Sequence, residues 1–203
     1  MWRPTSPLDL PDALARWLTT TPGVVRVVID GPAAAQPDSL AASMIEPLRA
    51  LGRPAVHIPA ATFWRDAALR LEFGHEDVEG FLSWLDADAL RREVLLPLVE
   101  RGEYLPSLRD PVTNRSTREP VQTAEPSTVL LVSGELLLGL GLPFDRVVHL
   151  AMSPAARARH TEPSLAWTLP AFENYDETVD PASLADVVIR LEDPRRPAVR
   201  GLP

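Results

Sequence analysis

The chain has 203 residues, of which 20 are basic and 28 acidic, giving a formal net charge of −8. Every basic residue is Arg, and there is no Lys and no Cys. These counts exclude disulfides, thiolate metal sites, a cysteine nucleophile, Schiff-base chemistry on Lys and the lysine of a phosphate-binding loop, and the acidic balance argues against a nucleic-acid partner.

The length suits one domain, residues 1–203, with a sizeable core. Pro, at 22 residues, is about twice its usual ~5% share, which predicts short helices and stiff connections. In chain order, Leu10, Leu14, Trp17 and Leu18 fall on one face of a helix over 8–21, within an N-terminal helical segment 1–22. Val24–Ile29 is β-branched and almost wholly apolar, the pattern of a strand buried on both faces. Gly31-Pro32 breaks it. Asp38 is then a candidate N-cap for a helix from Ser39 to about Leu51, kinked at Pro47. Ala55–Ile58 reads as a second strand. Helix, strand, loop, helix, strand is the start of a doubly wound parallel sheet.

Residues 77–101 read as mostly helical, with Asp86 or Asp88 as a cap and Leu90, Val94 and Leu95 facing inward. The segments Tyr104–Asp110 and Arg118–Thr123 flank a polar turn and predict a hairpin, inserted over 102–124. Thr128–Val132, Arg146–Ala151 and Asp186–Arg190 complete five expected strands, with helices over Pro154–His160 and Ala171–Val179. A Pro- and Arg-rich tail from Pro194 (194–203) reads as loose. The most apolar run, Val129–Phe144, is 16 residues and is broken by Ser133, Glu135 and three glycines, whereas a membrane span needs about 20. With no signal-peptide pattern at the start, the sequence predicts a soluble, cytoplasmic protein with no membrane partner. A homo-oligomer is left open.

Ligands of open α/β sheets bind beyond the carboxyl ends of the strands, so the loop Asp30–Ala41 is the first candidate site. Set against the phosphate-loop pattern G-x-x-x-x-G-K-S/T, Gly31 and the spacing match. Gln36 replaces the second Gly, Pro37 the Lys, and Asp38 the hydroxyl residue. Gln36 brings a Cβ where φ > 0 is common. Pro37 removes a cation and a backbone N–H from the anion nest. Asp38 sets a carboxylate beside the phosphate position, repulsive unless a metal bridges the two. By itself this loop also fits a plain strand-to-helix turn.

Beyond the loop, residues 24–198 resemble the uridine kinase family of P-loop nucleoside kinases. VVRVVIDGPAAAQPDSLA looks like the family's first strand, phosphate loop and helix. Phe63-Trp64-Arg65 looks like its D-x-F-Y/H-R nucleoside segment. Asp77–Leu98 is similar to its acidic-Pro-x-A/G-F stretch followed by D-x-x-x-L. Tyr104–Thr123 matches the hairpin over the substrate, TVLLVSGELLL the Walker B strand, and RVVHLAM with Ser153–His160 the approach to the lid, here within 153–169. Pro170-Ala171-Phe172 with Tyr175, then ADVVIRLEDPRRP, resembles the C-terminal helix and last strand.

The resemblance implies an α/β, three-layer P-loop kinase-like fold with a five-stranded parallel sheet, a small hairpin and a short lid. It implies nucleotide contacts at Gly31, Ala35, Gln36, Asp38, Ser39, Arg157 and Arg159. It implies substrate contacts at Phe63, Trp64, Arg65, Arg70, Tyr104 and Arg109, with a nucleoside or nucleotide as ligand. The departures are as telling. The phosphate-loop Lys is absent, the substrate-site acid is matched by Ala61, and the Walker B acid by Ser133. Phosphoryl transfer rests on positioning and electrostatics, and three of its parts are missing together. The reading is a kinase-like chain that has lost this chemistry and acts by binding a nucleoside, a nucleotide or a protein partner. The alternative is an active nucleoside kinase with a rebuilt phosphate site. ATP and magnesium enter only under that alternative, with Asp38 and Glu135, near Asp30, as candidate oxygen ligands. A third reading is a domain whose cleft is filled by Trp64 or Pro37. Among the four histidines, His57, His75, His149 and His160, no metal-ligand spacing is visible.

Overall fold

The structure is a computed structural model and describes residues 1–202. Its strands are β1 (Arg3–Pro4), β2 (Val25–Asp30), β3 (Ala55–Pro59), β4 (Glu103–Tyr104), β5 (Gln122–Thr123), β6 (Val129–Gly134), β7 (Arg146–Ala151), β8 (Val187–Arg190) and β9 (Ala198–Arg200). The helices are α1 (Leu10–Leu18), α2 (Pro37–Ala50), α3 (Ala67–Arg70), α4 (Val78–Phe81), α5 (Ala87–Leu90), α6 (Leu96–Arg101), α7 (Pro154–His160), α8 (Leu169–Thr178) and α9 (Pro181–Leu184).

The main sheet has seven strands in the order β1-β9-β8-β7-β2-β6-β3. The five expected strands are there and pair in parallel, β3-β6-β2-β7-β8. Two short strands add an antiparallel edge: β9 pairs with β8, and β1 with β9. The tail from Pro194 is therefore not loose, because Ala198–Arg200 supplies the ladder that holds the N-terminal Arg3–Pro4. Three residues are too few to show a period of two in sequence.

Strand alternation sorts the apolar residues onto two faces. Val25, Val27 and Ile29 of β2, with Val129 and Leu131 of β6, pack on Leu14 and Leu18 of α1 and on Ala41, Met44 and Leu48 of α2. Val28, Leu130 and Val132 point the other way, onto Leu90, Val94, Leu95 and Leu98 and onto Phe172 and Tyr175 of α8. Helices thus cover both faces of a parallel sheet, a three-layer α/β sandwich.

The prolines act locally. Residues 87–101 form one helical rod in which Arg91–Leu95 is a π-type turn. Pro97 has no N–H to offer the carbonyl of Glu93, and the Leu105 N–H takes it instead at 3.0 Å. Asp86 caps this rod, accepting from the Ala89 N–H at 2.9 Å. α2 continues through Pro47 to Ala50. It starts at Pro37 rather than at Ser39, since proline suits the first helical position, so Asp38 lies inside the first turn and makes no cap bond. The hairpin is reduced to β4 and β5 with one bridge between Arg109 and Ser116. No helix among the described residues is long and apolar enough to cross a membrane.

Candidate functional site

The five parallel strands end together, and a cleft of about 550 Å³ opens beyond β2, β6 and β3. One side is the loop after β2. Gly31 enters it with no room for a side chain, since an added Cβ would lie 2.7 Å from the Cβ of Leu150. Ala33–Ala35 form a 3-10 turn, and Gln36 closes it in the left-handed region at φ 56°. Gln36, which the sequence pattern aligns with the second Gly of a phosphate loop, thus holds a conformation that glycine adopts freely, at a cost of about 1 kcal/mol.

The floor is acidic. The Glu135 carboxylate reaches into this loop and accepts the Ala33 N–H at 2.7 Å. A backbone donor of the nest is therefore satisfied by the chain's own anion. Burial, with Asp30 and Asp38 close by, pushes the Glu135 carboxyl up to about 7, against the lowering effect of the Ala33 N–H. Asp38 accepts the hydroxyl of Ser133 in a short hydrogen bond. With its proton committed to Asp38, the Ser133 Oγ accepts from Nε2 of His57 at 2.7 Å. Burial lowers the His57 pKa, with Asp38 opposing, so the ring is neutral at pH 7. Ser133, near the carboxyl end of β6, is thereby tied into the structure.

Asp30 is fully buried beside this floor, close enough to raise the Glu135 carboxyl. It accepts the Leu137 N–H at 2.8 Å and bonds Nδ1 of His149 at 2.8 Å. Both its oxygens are in use, so it adds its charge to that of Asp38 and Glu135 without offering a free acceptor. Among the described residues no group of three His, Cys, Asp or Glu side chains is placed to hold a metal ion.

The walls are aromatic: Trp64, Phe81, Trp84, Trp167 and Phe172. Phe81 meets Trp84, Trp167 and Phe172 edge-on with centroids 5.0, 5.5 and 6.1 Å apart, and Trp64 meets Trp84 at 5.1 Å. The charged lining residues are Asp38, Glu135 and Glu162, with His160 at the lid side and no Arg. The cleft is open, so Trp64 and Pro37 line it without filling it.

Other sequence expectations separate. Gln36, Asp38, Ser39 and Trp64 line the cleft, but Gly31 and Ala35 do not; Gly31 serves the close approach to β7. Phe63 is wholly buried core. Arg65 points to solvent. Arg70 is buried behind the wall, its guanidinium 5.0 Å from the Trp64 ring centre and 4.8 Å from that of Trp84, and it donates to the Arg65 carbonyl. Tyr104 packs at the amino end of the sheet and donates to Gln122. Arg109 is held by Asp66 at 3.0 Å and by the Asn114 carbonyl. Arg157 is buried, paired with Asp176 at 2.7 Å and stacked over Phe172. Arg159 reaches the Glu192 carbonyl. The arginines expected to grip phosphate are thus committed elsewhere, because the seven-residue α7 turns them toward α8 and the β8 end. Phe81, Trp84, Trp167 and the His57–Ser133 bond were not singled out as site features in the sequence. Their signal is a set of aromatics, FLSW and LAW, in segments of weak periodicity.

ATP and magnesium are the groups such a fold implies, and the residues present do not fit them. The nest has lost one N–H to Pro37 and commits another to Glu135, no cation lines the cleft, and two carboxylates face the phosphate position.

No protein-family model matches the chain, and no curated protein matches it. Solved structures do. The architecture is shared with a possible uridine kinase from Bacillus stearothermophilus, at TM-score 0.70 and 21% identity over 89% of this chain and 98% of the other. A candidate fructose transport system kinase from Silicibacter sp. TM1040 aligns at TM-score 0.52 and 18% identity, over 82% and 95% of the two chains. The protein YGR205w aligns at TM-score 0.52 and 9% identity, over 97% and 99%. The chain therefore shares its fold with these three structures, and here that fold has a five-stranded parallel core with two further antiparallel strands.

Proposed function

We propose that this uridine kinase-like chain does not carry out ordinary ATP-dependent phosphoryl transfer. It works by binding a phosphate-free ligand of about nucleoside size in the aromatic cleft. The observation that carries this reading is the Glu135 carboxylate on the Ala33 N–H. That carboxylate stands where a kinase of this fold would receive phosphate oxygens. A triphosphate would have to displace it and would still face Asp38 with no Lys or Arg to offset the repulsion. An uncharged planar body has no such conflict and finds stacking surface on Trp64, Trp84 and Trp167.

The test is a thermal-shift panel of uridine, cytidine, UMP, ATP and GTP, each with and without magnesium, followed by a phosphoryl-transfer assay. A ligand at about 100 times its Kd adds about 2.7 kcal/mol, a shift of roughly 5–10 °C for a chain of this size. A shift with a nucleoside and none with magnesium-ATP supports the reading. A clear magnesium-ATP shift with transfer of phosphate to a nucleoside would overturn it in favour of an active kinase.

A further inference from the structure

Resting on the reading that the cleft takes a phosphate-free ligand, its charge pattern narrows the ligand class. Every fixed charge on the lining is negative: Asp38 and Glu135 on the floor and Glu162 at the rim. The cations nearest the walls lie outside the lining and have their own acceptors. Arg157 is paired with Asp176, and Arg70 donates to the Arg65 carbonyl with Asp66 nearby. The aromatic cluster already seats guanidinium groups on its outer side, Arg70 over Trp64 and Trp84 and Arg157 over Phe172. This is the geometry in which ring faces attract a cation. The floor also has unspent acceptors. Asp38 uses Oδ1 for Ser133 and Glu135 uses Oε1 for Ala33. A carboxylate offers two oxygens, so each keeps a second one for a ligand.

We propose that the cleft binds a small organic cation, an ammonium, amidinium or guanidinium group on a planar apolar body. Its charge rests on Asp38 and Glu135 and its body lies against Trp64, Trp84 and Trp167. About 550 Å³ accommodates a ligand of this size. The binding has a proton signature. The groups facing Glu135 are Asp30 and Asp38, with His57 one hydrogen bond beyond through Ser133 and His160 and Glu162 at the rim. The bound cation favours the ionised carboxylate, so Glu135 releases a proton on binding near neutral pH.

The experiment titrates the full chain, followed by tryptophan emission, with benzamidine and with benzamide, its neutral counterpart of nearly the same shape. Uridine and magnesium-ATP are run alongside. Benzamidine is expected to bind at least about tenfold tighter than benzamide, a difference of about 1.4 kcal/mol. Glu135→Gln and Asp38→Asn each remove most of that preference, weakening benzamidine far more than benzamide. Calorimetry of the unmutated chain at pH 6.5 in two buffers of different ionisation enthalpy reads the released proton without any substitution. Equal affinity for the two probes, or no benzamidine binding up to about 10 mM, overturns the cation proposal. If uridine binds in either case, the phosphate-free reading stands. Magnesium-ATP binding tighter than benzamidine overturns both.

Discussion

The two ends of the parallel sheet carry opposite chemistry. At the amino end arginines meet oxygen acceptors. Arg53, nearly buried, donates to the carbonyls of Ser127, Thr21 and Gly23 at 2.7–2.8 Å. Arg26 forms a two-pronged pair with Asp145, with bonds of 2.8 and 2.9 Å. Arg146 bonds Thr21 and lies over Trp17. At the carboxyl end stand Asp30, Asp38 and Glu135, and their partners are backbone N–H groups, a serine and a histidine. A phosphate-transferring protein needs cations at the carboxyl end. Here those at the amino end fasten loops, those near the carboxyl end, Arg157 and Arg159, are taken by Asp176 and the Glu192 carbonyl, and the cleft is left with surplus acceptors.

Breaking each end separately sharpens this contrast. The largest loss is expected from Asp30→Ala, which strips the Leu137 N–H and His149 of their shared buried partner. About 3–5 kcal/mol of stability should go, read from urea melts at pH 7. Arg53→Met keeps the stem but frees three carbonyls at the amino end, for about 2–4 kcal/mol, with cleft binding unchanged. If Arg53→Met altered ligand affinity, the two ends would not be independent.

Glu135→Gln probes the acidic floor through pH. The folded Glu135 carboxyl, pushed up to about 7 from 4.5, holds its proton more tightly than the unfolded one does. Its effect on stability is therefore most favourable below about pH 4.5 and is lost as pH rises through about 7. Relative to Glu135→Gln, the unmutated chain should lose up to about 3 kcal/mol between pH 4.5 and 8. Parallel melts of the two proteins read the difference directly, and a constant gap across that range would contradict the assignment. Gly31→Ala sets a Cβ against the Cβ and carbonyl of Leu150, where no flexible chain end can yield, and should cost at least about 1–3 kcal/mol.

The fold was legible where burial writes itself into sequence. Continuous apolar runs marked the five parallel strands, and β7 and α7 begin and end where the pattern places them. The antiparallel edge was hidden because β1 and β9 are two and three residues long and rest on pairing rather than pattern. In the site, the departures of Ala61, Ser133 and Pro37 from the kinase pattern that the sequence resembles are plain in one dimension. The contacts around them are not: the Glu135 contact with Ala33 spans 102 residues, and His57 meets Ser133 across 76. The candidate arginines misled for the converse reason. Their residue type suits phosphate, but Asp176, Asp66 and nearby carbonyls claim them, and those pairings exist only once the chain has folded.

The most direct test of the central claim, that the loop after β2 is closed to phosphate by the chain's own carboxylates, is calorimetric titration of magnesium-ATP into the native protein and into Glu135→Gln. The account predicts no measurable heat of binding for the native chain up to about 1 mM, a ceiling near −4 kcal/mol, and at most weak binding for the variant. Micromolar affinity in the native chain would contradict it.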